Sequence, residues 1–164
     1  MKFSQVHLPG VISLGIVAAI GFILIADGMG MSMFSKLVLF SRVEGVITQD
    51  GKPVEGAEVV QEVLYKDIDE VPATTASSDS QGHFVLEEVT HSAGLSRMLP
   101  GQVSIGQRLV IRYQGKEYEG WRHNKTSVEP DSELDGHPLK LVCELTTRPD
   151  FEGTHFGICR AAKE

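Results

Sequence analysis

Residues 43–59 read VEGVITQDGKPVEGAEV and residues 74–89 read TTASSDSQGHFVLEEV, and these two stretches decide the fold. Short runs of β-branched and apolar residues alternate in them with turn residues that have a mechanical role. Arg42–Thr48 has the alternation of a half-buried strand. Asp50-Gly51 supplies the positive φ that a tight hairpin requires, and Pro53 fixes φ for the returning chain. Across Val54–Tyr65, Val59, Gln61 and Val63 share one face, and Val60, Glu62 and Leu64 share the other. Thr74–Ser78 runs into a second turn, Asp79–Gly82, and a further strand is expected at His83–Val89.

Working outward, Gly106–Tyr113 and Lys116–Trp121 flank Gln114-Gly115, another hairpin signal, and Leu139–Leu145 reads as a late strand. Six or seven short strands without a helical period predict an all-β fold, an antiparallel β-sandwich of about seven strands spanning residues 42–164.

The two opening stretches resemble the carboxypeptidase regulatory-like, or transthyretin-like, domain. That family runs through a strand, Asp-Gly-x-Pro-Val-x-Gly-Ala-x-Val, a second strand and Thr-x-x-Asp-x-x-Gly-x-Phe. Asp50, Gly51, Pro53, Val54, Gly56, Ala57, Val59, Thr75, Asp79, Gly82 and Phe84 fit the pattern. The resemblance covers positions 42–90 and implies a transthyretin-like sandwich. In it Gly51 makes the turn, Gly56 and Ala57 allow close packing where a strand begins, and Phe84 plugs the core below the Asp79–Gly82 turn. The remainder, with LSRMLPGQVSIGQRLVIRYQGKEYEGW at residues 95–121, resembles small bacterial proteins of the same kind, some of them associated with secretion-system effector loci as immunity partners. That similarity implies a protein partner, a toxin or effector, and a role as its immunity protein.

The 164 residues carry 15 basic and 22 acidic side chains, a net charge of −7, unevenly placed. Every acidic residue lies at or after Asp27, and only Lys2 among the basic ones precedes it, so residues 27–164 carry −8. That balance weighs against a nucleic-acid binder, which usually shows a basic face. From Phe3 to Ala26 no residue is charged if His7 is neutral, and Val11–Ala26 reads VISLGIVAAIGFILIA. A membrane-crossing helix needs about 20 mainly apolar residues, which residues 8–26 nearly supply. The expected organisation is therefore an N-terminal transmembrane anchor over 1–28, a linker over 29–41 and the sandwich over 42–164. The domain would lie in the periplasm on a single-pass inner-membrane anchor. A cleaved signal peptide is the competing reading, with Leu24 and Ala26 a poor match to the small residues cleavage prefers. Translation from Met29, Met31 or Met33 would instead give a cytoplasmic protein.

Signatures of chemistry are sparse. Cys143 and Cys159 lack the spacing of a zinc or redox motif; outside the cytoplasm they would pair as a disulfide, inside it remain buried thiols. His7, His83, His91, His123, His137 and His155 form no HExxH and no close pair for a metal. His155 and Cys159 at a four-residue spacing lack a third, orienting group. Gly94-Leu95-Ser96-Arg97-Met98 lacks the second glycine of a nucleophile elbow, and no phosphate-binding loop occurs. Asp67-Ile68-Asp69-Glu70 reads as a solvated acidic loop. The terminal His/Arg motifs of transthyretin-related hydrolases are missing, so no enzyme, cofactor or metal is expected. Two places are candidates for binding: the loop around Leu95 and Met98, and the hairpin of Tyr113, Tyr118 and Trp121. Those aromatics either anchor a protein, carbohydrate or peptide ligand or fill the core.

Overall fold

A computed structural model describes residues 35–66, 68, 70–93 and 103–162. All lie within one unit, Ser32–Glu164. In chain order the strands are β1 (Ser35–Phe40), β2 (Val43–Gln49), β3 (Lys52–Pro53), β4 (Glu58–Tyr65), β5 (Thr74–Ser77), β6 (His83–Leu86), β7 (Val89–Ala93), β8 (Ile105–Tyr113), β9 (Lys116–Lys125), β10 (Leu139–Glu144), β11 (Asp150–Glu152), β12 (His155–Gly157) and β13 (Cys159–Ala161). A 3-10 turn at Ser132–Leu134 is the one helical element among the described residues.

A five-stranded sheet has the order β13-β10-β2-β3 with β6 also beside β2, and a six-stranded sheet has the order β11-β12-β9-β8-β4-β5. β1 and β7 form a separate antiparallel ribbon. One core joins the two larger sheets: Val43, Ile47, Phe84, Leu86, Leu139 and Leu141 from the first meet Val59, Leu109, Ile111 and Trp121 from the second. The architecture is all-β, as the turn spacing predicts.

The turns obey the chemistry read from the sequence. Asp50 (φ 52°) and Gly51 (φ 73°) close the β2–β3 hairpin, and Gln114 (φ 50°) and Gly115 (φ 74°) close β8–β9. Paired positive φ values match the right-handed twist of the flanking strands. At the third turn Asp79 Oδ1 accepts the backbone N–H groups of Gln81 (2.8 Å) and His83 (2.9 Å), and those bonds lower its pKa. Phe84 is buried beneath it, as expected. Its close partner is Gly45, where a Cβ would stand 2.4 Å from the Phe84 ring. Gly56 has open space around it and serves instead through its φ of +74°.

Four expectations need correction. The sheets are not wholly antiparallel, because β10 runs parallel to β2 over Leu139–Glu144 against Val43–Thr48. Strands among the described residues number thirteen rather than about seven; β3, β11, β12 and β13 are two or three residues long, too short to show a period. The stretch taken as a linker, 29–41, contains β1, whose Leu37, Val38, Leu39 and Phe40 are buried. The strand expected at Lys116–Trp121 continues to Lys125. The anchor segment 8–26, and with it the topology of 1–28, lies outside the described residues. Among those described, no helix is long and apolar enough to cross a membrane.

Two side chains of opposite charge are buried here, and each is compensated by the other. Lys125, on the inner face of β9, and Glu133, in the 3-10 turn, are 0% and 4% exposed and form an ion pair with both Nζ–O distances 3.1 Å. The Glu133 carboxylate also accepts from the Ser41 N–H (3.0 Å), the Ser41 hydroxyl (2.7 Å) and Gln107 Nε2 (2.7 Å). Burial opposes ionisation of Glu133, but the Gln107 and Ser41 hydrogen bonds and the Lys125 charge prevail and hold its pKa below the usual value. Glu133→Gln strands the Lys125 ammonium and should lower stability by about 3–5 kcal/mol. Urea unfolding followed by fluorescence of the single, fully buried tryptophan, Trp121, measures this directly.

Candidate functional site

The β8–β9 hairpin is not an exposed aromatic anchor. Trp121 is 0% exposed and belongs to the main core, while Tyr113 and Tyr118 are half-buried against it. The reason is a register shift between Leu109 and Val110, opposite Gly120, which keeps both Tyr118 and Trp121 on the inner face. A carbohydrate or peptide platform built on Trp121 is thereby removed. Leu95 and Met98 lie outside the described residues.

Behind Trp121 the chain gathers histidines that the sequence spacing does not connect. His155 stacks on the Trp121 ring at 3.8 Å and 18°, with His123 beside it at 5.9 Å from the same ring. β12 pairs with β9 and brings His155 opposite His123, so the two come from strands 32 residues apart. His123 Nδ1 lies 3.1 Å from the Thr154 carbonyl. Burial lowers the pKa of His155, opposed by the Glu152 carboxylate 3.4 Å away. Among the described residues no three His, Cys, Asp or Glu side chains converge for a metal.

Cys143 and Cys159 are joined in a disulfide directly across the β10–β13 register, and both are fully buried. It closes a 16-residue loop and staples the last strand to the sheet, worth about 3 kcal/mol through the unfolded chain. One residue later, Glu144 does work unseen in the sequence. Its carboxylate accepts from Thr48 Oγ1 (2.9 Å), from the Asp50 and Gly51 N–H groups (2.9 and 3.0 Å), and from the Thr146 N–H and hydroxyl (3.1 and 2.6 Å). Partial burial opposes the charge, but the Thr146, Gly51 and Thr48 bonds win and take its pKa to about 2. The β2–β3 turn is thus held by a carboxylate from the far end of the chain.

Two outer surfaces carry exposed apolar side chains in groups. On the five-stranded sheet, register sets Val142 beside Val46 and Val85 diagonally across β2; Val85 and Val142 are each 44% exposed. A shallow groove runs over them between His83 and Lys140. On the six-stranded sheet, Phe151 is 72% exposed on the outermost strand, β11, and packs edge-on against Phe156 at 5.1 Å. The Arg122 guanidinium lies 4.8 Å from the centre of the Phe156 ring.

The Glu144 clamp has a pH signature. Its folded pKa lies below its ordinary value, so its stabilisation is complete above about pH 4.5 and is lost as pH falls towards 2. Glu144→Gln should cost about 1–2 kcal/mol at pH 7 after solvent screening, with the gap to the unsubstituted chain closing by pH 2. Urea midpoints of both chains across that range measure it.

No curated protein matches the chain. Among solved structures, an alternative pilotin from the type II secretion system of Vibrio cholerae matches at 18% identity over 62% of this chain and 95% of that one. Its TM-score of 0.26 is too low to carry an inference about fold or function. Residues 43–148, well over half of the sequence, match the family described as a domain of unknown function, DUF6795, and the chain belongs to that family.

Proposed function

We propose that this protein is a non-enzymatic, protein-binding β-sandwich held outside the cytoplasm by an N-terminal membrane anchor. The transthyretin-like assignment belongs to the same proposal and rests on the turn motif from Asp50 to Phe84. The observation that carries the binding role is the valine face. Val46, Val85 and Val142 lie on three adjacent strands of a sheet whose other face already completes the core. Apolar side chains left in water at a groove are what a partner covers. The outer face of the six-stranded sheet carries ion pairs, with Arg108 held by Glu119 and Glu62, and Arg112 by Glu117 and Glu58. Such a surface favours solubility and steers a partner of opposite charge. The excess of acidic groups suits a basic partner, and a toxin delivered to the periplasm is the sharpest version of it. Deleting the gene in that case sensitises cells to such a toxin; unchanged resistance rejects the immunity role.

Location is supported by the buried Cys143–Cys159 bond, since disulfides persist in oxidising compartments. Alkylating whole cells, with and without reductant, should find both cysteines oxidised in the full chain and reduced in a chain started at Met33. Full-chain protein should also stay with membranes after alkaline carbonate extraction. Free thiols in the full chain would overturn the placement.

For the binding face, Val85→Glu with Val142→Glu puts two charges on exposed positions and should leave the unfolding midpoint within about 0.5 kcal/mol of the original. Cross-linking in cells should then lose the adducts that the unsubstituted chain forms. Adducts that survive the double substitution remove the valine face from the proposal.

A further inference from the structure

We infer that Phe151, Phe156 and Arg122 form a second docking site, for a peptide segment of a partner protein that carries an apolar side chain next to a carboxylate. The inference extends the protein-binding reading to a chemically different surface. The argument begins with the register. Phe151 of β11 pairs with Phe156 of β12, and Phe156 pairs with Arg122 of β9, so the three occupy one row on the outer face of the sheet. Edge-on packing of the two rings and the guanidinium over Phe156 hold them as a platform.

Charge identifies the occupant. The same outer face carries Arg108 and Arg112, and each holds two carboxylates. Arg122 is exposed, yet among the described residues its one partner is the Phe156 ring. An arginine without a carboxylate is the exception in a domain bearing −8. Arg148, exposed and two residues before β11, likewise has no carboxylate among the described residues. A guanidinium presents a planar donor fork that matches a carboxylate, and a ring stacked beneath it keeps that fork facing outward. Phe151 supplies the apolar contact, because at 72% exposed it leaves most of its ring for a partner.

A second copy of the chain fits this edge poorly. Two antiparallel β11 strands centred on Phe151 would set Asp150 against Glu152 of the other copy, like charges directly opposite each other. An anionic lipid surface is the remaining source of negative charge, and it is separated from a peptide by the test below.

The test uses the full chain, isotope-labelled in detergent micelles and followed by NMR. The probe is an end-blocked hexapeptide, acetyl-Gly-Phe-Glu-Leu-Glu-Gly-amide, with its Gln-for-Glu counterpart as control. The acidic peptide should shift the Arg122 side-chain Nε–H and the Phe151 and Phe156 amides, saturably, while the Gln peptide binds at least tenfold more weakly. Arg122→Gln and Phe151→Ser, both exposed, should each weaken the acidic peptide at least tenfold; Arg112→Gln should leave it unchanged. The proposal falls if the peptide leaves those signals in place, or if Arg122→Gln binds it equally well. It also falls if phosphatidylglycerol added to the micelles reproduces the shifts and the peptide does not, or if the signals move with protein concentration alone. Because V85E/V142E and R122Q touch different surfaces, failure here is separable from failure of the valine face.

Discussion

The buried Lys125–Glu133 pair is the constraint on which the arrangement of this domain depends. Two ions inside a core are tolerated only when every lone pair and proton has a partner, since desolvating each costs several kcal/mol. Glu133 meets that demand from the 3-10 turn by drawing groups from three separate places. They are the corner after β1 through Ser41, the centre of β8 through Gln107 and the end of β9 through Lys125. Ser41 relays the network further, its oxygen accepting from the Asp131 N–H at 2.8 Å. The connection from β9 to β10 is therefore seated beneath the β1–β2 corner, reinforced by the Val38 N–H donating to the Val128 carbonyl. A chain that misplaced any of these elements would strand a charge, which penalises alternative packings more strongly than an apolar contact does.

A second carboxylate applies the same logic at the surface. Glu144 lies at the end of β10, one residue past the disulfide, and holds the Asp50-Gly51 turn from the other end of the chain. Parallel pairing of β10 with β2 makes this possible, because it sets Glu144 opposite Thr48 at the lip of the hairpin. The staple and the clamp act on the same strand. Together they tie the C-terminal segment to the motif that begins the fold, so that the five-stranded sheet is closed by contacts of long sequence separation.

What the sequence made legible follows from how far each signal reaches. Asp50-Gly51, Gln114-Gly115 and Asp79–Gly82 are local devices whose φ values and Asx bonds are set within four residues, and all three turns stand where the sequence places them. Phe84 in the core was equally readable. The cysteine pair was readable only conditionally, since its formation depends on compartment as well as on geometry. The parallel β2–β10 ladder was not, because nothing in Leu139–Leu145 records which strand it will join. Trp121 was ambiguous for a like reason: a one-residue register shift decides which face it takes, and that shift depends on the partner strand. Nothing in the residues around Glu133 and Lys125 marks them as buried, and only tertiary placement makes them a core pair.

The two outer faces follow from these internal constraints. A sandwich tied by a buried ion pair and a cross-strand disulfide cannot rotate a strand to hide an awkward side chain. A one-residue slip in β10 would bury Val142, but it would also turn Leu141 and Cys143 outward and break the disulfide. A slip in β12 would cover Phe156 but would remove His155 from its stack on Trp121. The valines and the Phe151–Phe156 platform are therefore held in water by the same registers that complete the core. On the proposed reading, a partner protein relieves that exposure. The chemistry of each face, aliphatic between His83 and Lys140 on one sheet and aromatic beside an unpaired guanidinium on the other, then sets different demands on what covers it.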